Sequence, residues 1–276
     1  MVAWLPLPPP EPGDSSRYLL TLSPKPRPLL QRLRERLGTR PTAGLQIQWP
    51  VEWPDRIRRV ISRSGTRRRY IVPCYRYGEC EAHGEAREEE LSFILLDACD
   101  GVEFQEQPCR LIFEFRNQSC EHFPDILVAT EGRTEFWECK RTREAEQFWI
   151  RKRAERLRAL LEPLDMGYRV VTTAQLTSGM YVDNAKLLRR FAKHPVTETV
   201  KLEVTVQLHA AGQSTLGDLS QSLGSADAIS DIHALIYGGC VCTDLSTRLD
   251  ARSLLHLPQS DGRVPWVWHL FAPASA

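Results

Sequence analysis

The sequence predicts an α/β protein in which a mixed sheet flanked by helices is followed by a smaller, mostly helical unit. Three patterns carry that expectation. Apolar residues recur at helical spacing over Glu85 to Ala98, strand-like runs bounded by turn residues follow them, and a second helical pattern leads into a further strand. At 276 residues the chain suggests two domains at roughly 100–200 residues each. With 42% hydrophobic residues it can bury a core, and 26% charged residues of both signs exclude a chain disordered throughout.

The 36 Lys and Arg nearly balance the 35 Asp and Glu, so bulk basicity makes no case for nucleic acid. The segments differ, however: residues 1–80 are basic and residues 81–140 acidic, which fits a cation-binding site presented to a polyanion. No run approaches the roughly 18 apolar residues of a membrane span, and the first residues lack the pattern of a signal peptide. A cytoplasmic bacterial protein with no membrane contact is expected. The eight cysteines include no CxxC pair and read as reduced, mostly structural thiols. Cys74, Cys80 and His83 leave open a zinc fragment that lacks a fourth ligand at finger-like spacing.

Residues 1–55 read as a Pro/Arg-rich arm with one short amphipathic stretch, Leu29 to Leu37. Arg56 to Arg76 interleaves Arg67, Arg68 and Arg69 with Tyr70, Tyr75 and Tyr77, a composition suited to phosphate contacts with stacking, or to a solvated basic loop. Glu85 to Ala98 is an amphipathic helix behind an acidic first turn. Strands are expected at Val102 to Gln105 leading into Arg110 to Phe115, at Phe123 to Ala129 and at Glu135 to Lys140. Glu144 to Leu161 is read as a long helix burying Phe148, Ile150 and Leu157. It exposes Arg151, Arg153 and Arg158, and Arg151, Lys152 and Arg153 are read as phosphate contacts. Tyr168 to Thr172 is the next strand.

Residues 178–196 form a connector with a helix at Asn184 to Lys193, and residues 197–276 a smaller unit of winged-helix type. Its helices are Thr215 to Leu223 and Ala226 to Tyr237, followed by a β element at Val241 to Asp244. Val200 to His209 alternates like a strand, but a winged helix wants its first helix there, and helix is expected against local propensity.

The chemistry concentrates on one hairpin. If Glu131 and Gly132 form a two-residue turn, Thr130 opposes Arg133 and Asp125 opposes Glu138, putting two carboxylates on one face. Such a pair repels unless a cation sits between them. Lys140 points to the same face, while the Cys139 side chain points away and leaves its carbonyl available. Oxygen donors of this kind favour Mg²⁺ or Mn²⁺, which lowers the pKa of a bound water for attack on a phosphodiester. Lys140 would orient that water or meet the charge of the transition state.

This ordering, with acidic residues on the upstream helix, is that of PD-(D/E)xK nucleases. More closely, the block resembles the catalytic domain of TnsA-type endonucleases, subunits of heteromeric cut-and-paste transposases. The matching residues are Glu85-Ala86-Arg87-Glu88, Val102 to Pro108, Phe123-Pro124-Asp125-Ile126-Leu127-Val128 and Trp137-Glu138-Cys139-Lys140. The resemblance implies a restriction-endonuclease-like fold over residues 56–177. It also implies Mg²⁺-dependent cleavage of double-stranded DNA at the 5′ ends of a transposon, beside a DDE transposase and an AAA+ ATPase regulator. It places the helix carboxylate on Glu88, the strand carboxylate on Asp125 and the lysine on Lys140, with Glu138 where the family allows Glu or Gln. Glu85 and Glu89 compete with Glu88. The metal set expected is Glu88, Asp125, Glu138 and the Cys139 carbonyl. The Ala226 to Tyr237 helix contains no Lys or Arg, which suits a protein partner better than DNA bases. The competing readings are a stand-alone restriction or repair nuclease, and an inactive nuclease-fold regulator. The four polar groups Glu88, Asp125, Glu138 and Lys140 argue against the latter.

Overall fold

The computed structural model describes residues 27–38, 44–51, 56–57, 69–78, 80–258 and 264–271. Arg67, Arg68 and most of the expected arm lie outside the described residues. The protein is mixed α/β, with several small sheets and helices packed around them.

The first helix, α1 (Pro28–Gly38), buries Leu30, Leu33 and Leu37 at helical spacing. Strand β1 (Leu45–Gln48) follows it, and β2 (Tyr70–Cys74) pairs with β3 (Cys80–Gly84) as an antiparallel hairpin. That hairpin replaces the loop read from the sequence, and it sets Cys74 opposite Cys80. Among the described residues Cys74, Cys80 and His83 make no three-ligand group: Cys80 Sγ accepts from Arg27 Nη2 at 3.3 Å and His83 turns to Glu81. Helix α2 (Arg87–Ala98) is buried on almost every side, Glu88, Glu89, Ser92 and Asp97 included. Its first turn carries Glu88, Glu89 and Glu90, the sign of charge that favours a helix start.

Strand β4 (Glu103–Glu106) precedes a hairpin of β5 (Arg110–Phe115) and β6 (Gln118–His122), which joins β1 in a sheet of its own. The tip residues Arg116 and Asn117 both have positive φ, as a two-residue hairpin turn requires. Strand β6 went unread because Gln-Ser-Cys-Glu-His carries no apolar alternation. Next come β7 (Ile126–Thr130) and β8 (Arg133–Lys140), a short helix α3 (Thr142–Ala145), α4 (Phe148–Leu161) and β9 (Gly167–Thr172). The main sheet runs β4-β7-β8-β9, antiparallel except for the parallel β8–β9 pair, whose crossover is α3 and α4.

The expected Glu144 to Leu161 helix is broken near Glu146, and Phe148 is exposed rather than buried. Ile150, Ala154, Leu157 and Leu161 make the buried stripe, and Phe148 lies two residues, about 200° of helix, from Ile150.

The chain continues through α5 (Thr173–Leu176), α6 (Tyr181–Arg189), α7 (Glu198–Ala211), β10 (Gln213–Thr215), α8 (Leu216–Leu223), α9 (Ala228–Tyr237) and β11 (Leu254–His256). The alternating run Val200 to His209 is helical within α7. Thr197 caps its start, and only Val204 and Leu208, four residues apart, are buried. Strands β10 and β11 pair antiparallel, and Cys242 bridges to His256.

Two apolar clusters cover the main sheet. One lies under α1 and α4 and takes Phe136 and Tyr168; the other lies around α2 and takes Trp137 and Cys139. The second runs without a break into α6, α8, α9 and the final turn Trp266–Phe271, so the segment after residue 197 packs against the sheet-bearing part. Trp268 and Phe271 meet Trp137 edge to face. Among the described residues no helix is long and apolar enough to cross a membrane.

Candidate active site

The β7–β8 register runs as the two-residue turn dictates, from Thr130↔Arg133 to Ile126↔Trp137. It stops one pair short of the expected Asp125–Glu138 pair. The Asp125 N–H donates to the Trp137 carbonyl at 3.0 Å, and its carboxylate turns to accept the Cys139 N–H at 2.8 Å. Asp125 and Glu138 therefore do not face each other across the ladder. They meet through Lys140, whose Nζ lies 3.8 Å from Asp125 Oδ2 and 3.2 Å from Glu138 Oε1.

Glu138 is 1% exposed, with both oxygens engaged. Arg153 and Lys140 donate to Oε1, and the Tyr168 hydroxyl donates to Oε2, near His122 Nε2 at 3.8 Å. Burial works against its charge, but His122, Lys140, Arg153 and the Tyr168 hydroxyl together hold its pKa below the usual carboxylate value. Burial takes His122 down to about 4, so at neutral pH His122 is uncharged and the lasting positive charges are Lys140 and Arg153. Burial also opposes the charge on Lys140, and Asp125 and Glu138 overcome it, so the lysine stays ionised.

The helix carboxylates divide. Glu88 Oε1 accepts from Thr173 Oγ1 at 2.7 Å. Glu89, one residue on, is the one that senses Asp125: burial first, and then the Asp125 charge, raise its pKa to about 8. Gly84 makes room for it, since a Cβ there would stand 2.9 Å from Glu89 Cβ.

Arg153 was expected as an exposed phosphate contact. It is instead held against Glu138, its guanidinium 4.9 Å from the centre of the Trp149 ring. Lys152 pairs with Glu155 at 2.8 Å on the surface, and Arg151 is exposed beside it. In the Arg56 to Arg76 stretch, Arg69 is half-buried, Arg56 binds Glu106 at 2.6 Å, and Arg76 binds Asp100 at 2.9 Å with its guanidinium over Tyr237. The Cys139 carbonyl, expected to be open, accepts from Lys140 Nζ at 3.1 Å; its second lone pair is a further acceptor. Its thiol lies 3.5 Å from Ser92 Oγ.

A cleft of about 900 Å³ collects these groups, bringing Glu88, Glu89, Asp125, Glu138 and Lys140 to one end of the sheet with Arg153 and Trp149 at its side. His122 and Tyr168 went unrecognised as site residues, and Arg153 was read as a phosphate contact rather than as the partner of Glu138. A strand on the far side of the β5–β6 hairpin and a strand after the crossover deliver the first two, and no local spacing signals that.

Among the described residues no three His, Cys, Asp or Glu side chains cluster closely enough to hold a metal ion by themselves. The oxygen donors at hand for a hard cation are the Asp125 carboxylate, the Glu89 carboxyl, which would lose its proton on binding, and the Cys139 carbonyl. Compared with protein-family models and with curated proteins, the chain matches none.

Proposed function

We propose that this chain is a metal-dependent DNA endonuclease of the restriction-endonuclease-like class. In this reading it acts with a DDE transposase and an AAA+ ATPase regulator at the 5′ ends of a cut-and-paste transposon. The observation that carries the nuclease reading is the meeting of Asp125, Glu138 and Lys140 at one end of a mixed sheet, with Glu89 lining the same cleft. The helix order α7, β10, α8, α9 with a closing β10–β11 pair supports a winged-helix unit after residue 197.

Asp125, Glu89 and the Cys139 carbonyl would hold Mg²⁺ or Mn²⁺, with Glu138 and Glu88 at the border of the site. The bound cation would supply a Lewis acid and an acidified water. Lys140, kept ionised between two carboxylates, offers its ammonium to the phosphate charge that grows as the bond breaks. Glu138 positions that ammonium. Arg153 and Tyr168 fix Glu138 in turn, and burial keeps Tyr168 protonated so that it remains a donor.

The test is nicking of supercoiled plasmid and of a transposon-end duplex with Mg²⁺ or Mn²⁺, with and without the transposase subunit. Cleavage lost in Asp125→Ala and Lys140→Ala, at unchanged circular dichroism, supports the reading. Cleavage at the wild-type rate in either variant refutes the site.

A further inference from the structure

The first turn of α4 presents two consecutive large aromatics to solvent, Phe148 at 63% and Trp149 at 47% exposure, of which Trp149 lines the cleft. Neither fills the core: the helix has its own buried stripe two residues on. Cations gather around both rings. Arg116, from the tip of the β5–β6 hairpin, lies 5.7 Å from the Phe148 centre and Lys152 lies 5.9 Å from it, while Arg153 covers Trp149 at 4.9 Å. The Trp149 indole is tethered by its N–H to Gln147 Oε1 at 2.8 Å, and the same side chain lines the cleft that holds Asp125 and Lys140.

Exposed rings flanked by cations match a nucleotide: the ring stacks a base while the charges meet its phosphate. A continuous duplex shows no base face, because each base is stacked inside the helix. We propose that Phe148 and Trp149 form a stacking platform for an unpaired base beside the scissile phosphate, so that the cleft takes DNA whose strands are separated there in preference to continuous duplex. This rests on the nuclease reading of the cleft. An apolar protein partner would gain little from rings whose surroundings are cationic, whereas a polyanion gains from both.

The test uses the full chain in EDTA, with a duplex carrying a three-nucleotide mismatch bubble that contains 2-aminopurine, against the matched duplex. The bubble should bind about tenfold more tightly, with quenching of the 2-aminopurine by stacking. Phe148→Ala combined with Trp149→Ala should erase that preference, and Trp149→Phe should retain it. Both side chains are exposed, so folding is checked by circular dichroism, and the quenching in the unaltered protein stands as evidence without any variant. Equal affinity for bubble and duplex, no binding of either, or a preference that survives the double substitution overturns the platform. So does a double variant that loses only its hold on the transposase subunit, which would make the rings a protein contact. Trp149-dependent bubble binding without Mg²⁺-dependent nicking keeps the platform and removes the nuclease reading; nicking with no bubble preference does the reverse.

Discussion

Strand β8 carries two buried glutamates three residues apart, and each faces two cations. Glu135 is held by Arg133 Nη2 at 2.7 Å, by Arg169 Nε at 2.7 Å and by the Trp137 indole N–H at 3.1 Å. Those two arginines are themselves stacked, on Trp268 at 4.1 Å and on Phe271 at 4.3 Å. Gly167 admits this packing, since a Cβ there would come 2.7 Å from Glu135 Cγ. At that end one carboxylate satisfies two guanidiniums and the cluster is closed. At the other end Lys140 and Arg153 answer Glu138, but Asp125 and Glu89 crowd in beyond it, and Glu89 is pushed up to about 8. The same residue type on the same strand therefore serves two ends: at one its charge is matched and closed off, and at the other it shares its cations with Asp125 in an open cleft, the place where the proposed cation would bind.

The comparison breaks most readily on activity. Asp125→Asn or Lys140→Ala should lower plasmid nicking by about a hundredfold or more, the scale of a lost transition-state contact. Glu135→Gln should leave the rate within about twofold. A Glu135 variant that cut as poorly as the Asp125 variant would erase the distinction between the two ends.

Stability should show the reverse order. Glu135→Gln leaves Arg133 and Arg169 poorly compensated. It should cost roughly 2–3 kcal/mol by urea denaturation, on the low side for a broken buried pair because both arginines keep some water. Asp125→Asn should cost well under half of that.

The closed end should also contribute to acid unfolding, beside Glu138, whose pKa is likewise depressed. Burial opposes the Glu135 charge, but Arg169 and Arg133 more than offset it and hold the pKa below its ordinary 4.5. A depressed carboxylate contributes stability above its unfolded pKa, and that contribution disappears as pH falls through the lower folded value. Stability should therefore decline below about pH 4.5 in the wild type. Glu135→Gln should flatten this part of the curve; an identical acid limb in the variant would assign acid sensitivity elsewhere.

The open end should respond to divalent cation without any substrate. Mg²⁺ at about ten times its Kd should raise the Tm of the wild type and of Glu135→Gln by about 3 °C, and should not shift Glu89→Gln or Asp125→Asn. A shift that persists in both of the latter places the cation elsewhere. The smallest effect belongs to the surface beside the cleft: neutralising Arg151 and Lys152 should flatten the log-log salt dependence of DNA binding by roughly 0.9 per phosphate contact.

Much of the secondary structure followed from local rules. The α2 pattern, the β7–β8 turn and its register, and the strand at 168–172 are set by residues within a few positions of one another, so spacing alone carries them. The polar hairpin strands β3 and β6 escaped, because their partners rather than their own apolar pattern stabilise them. Phe148 was misplaced because the break near Glu146 resets which face of α4 turns inward. The α7 run alternates like a strand, and it is helical because Val204 and Leu208 find their place against the neighbouring helices.

The sequence by itself determined which chemical groups this protein brings to its cleft. The residue types of the hairpin and the acidic start of α2 are written locally, and the turn at Glu131 and Gly132 sets their register. Only the tertiary structure decided how those groups are shared. Bending at Asp125 hands its carboxylate to the Cys139 N–H, β3 packs Gly84 against Glu89, Thr173 takes Glu88, and α4 turns Arg153 inward onto Glu138. The reason is physical: the pKa and partner of a buried charge depend on every charge and dipole within a few ångströms, and those neighbours come from strands and helices far apart in the chain.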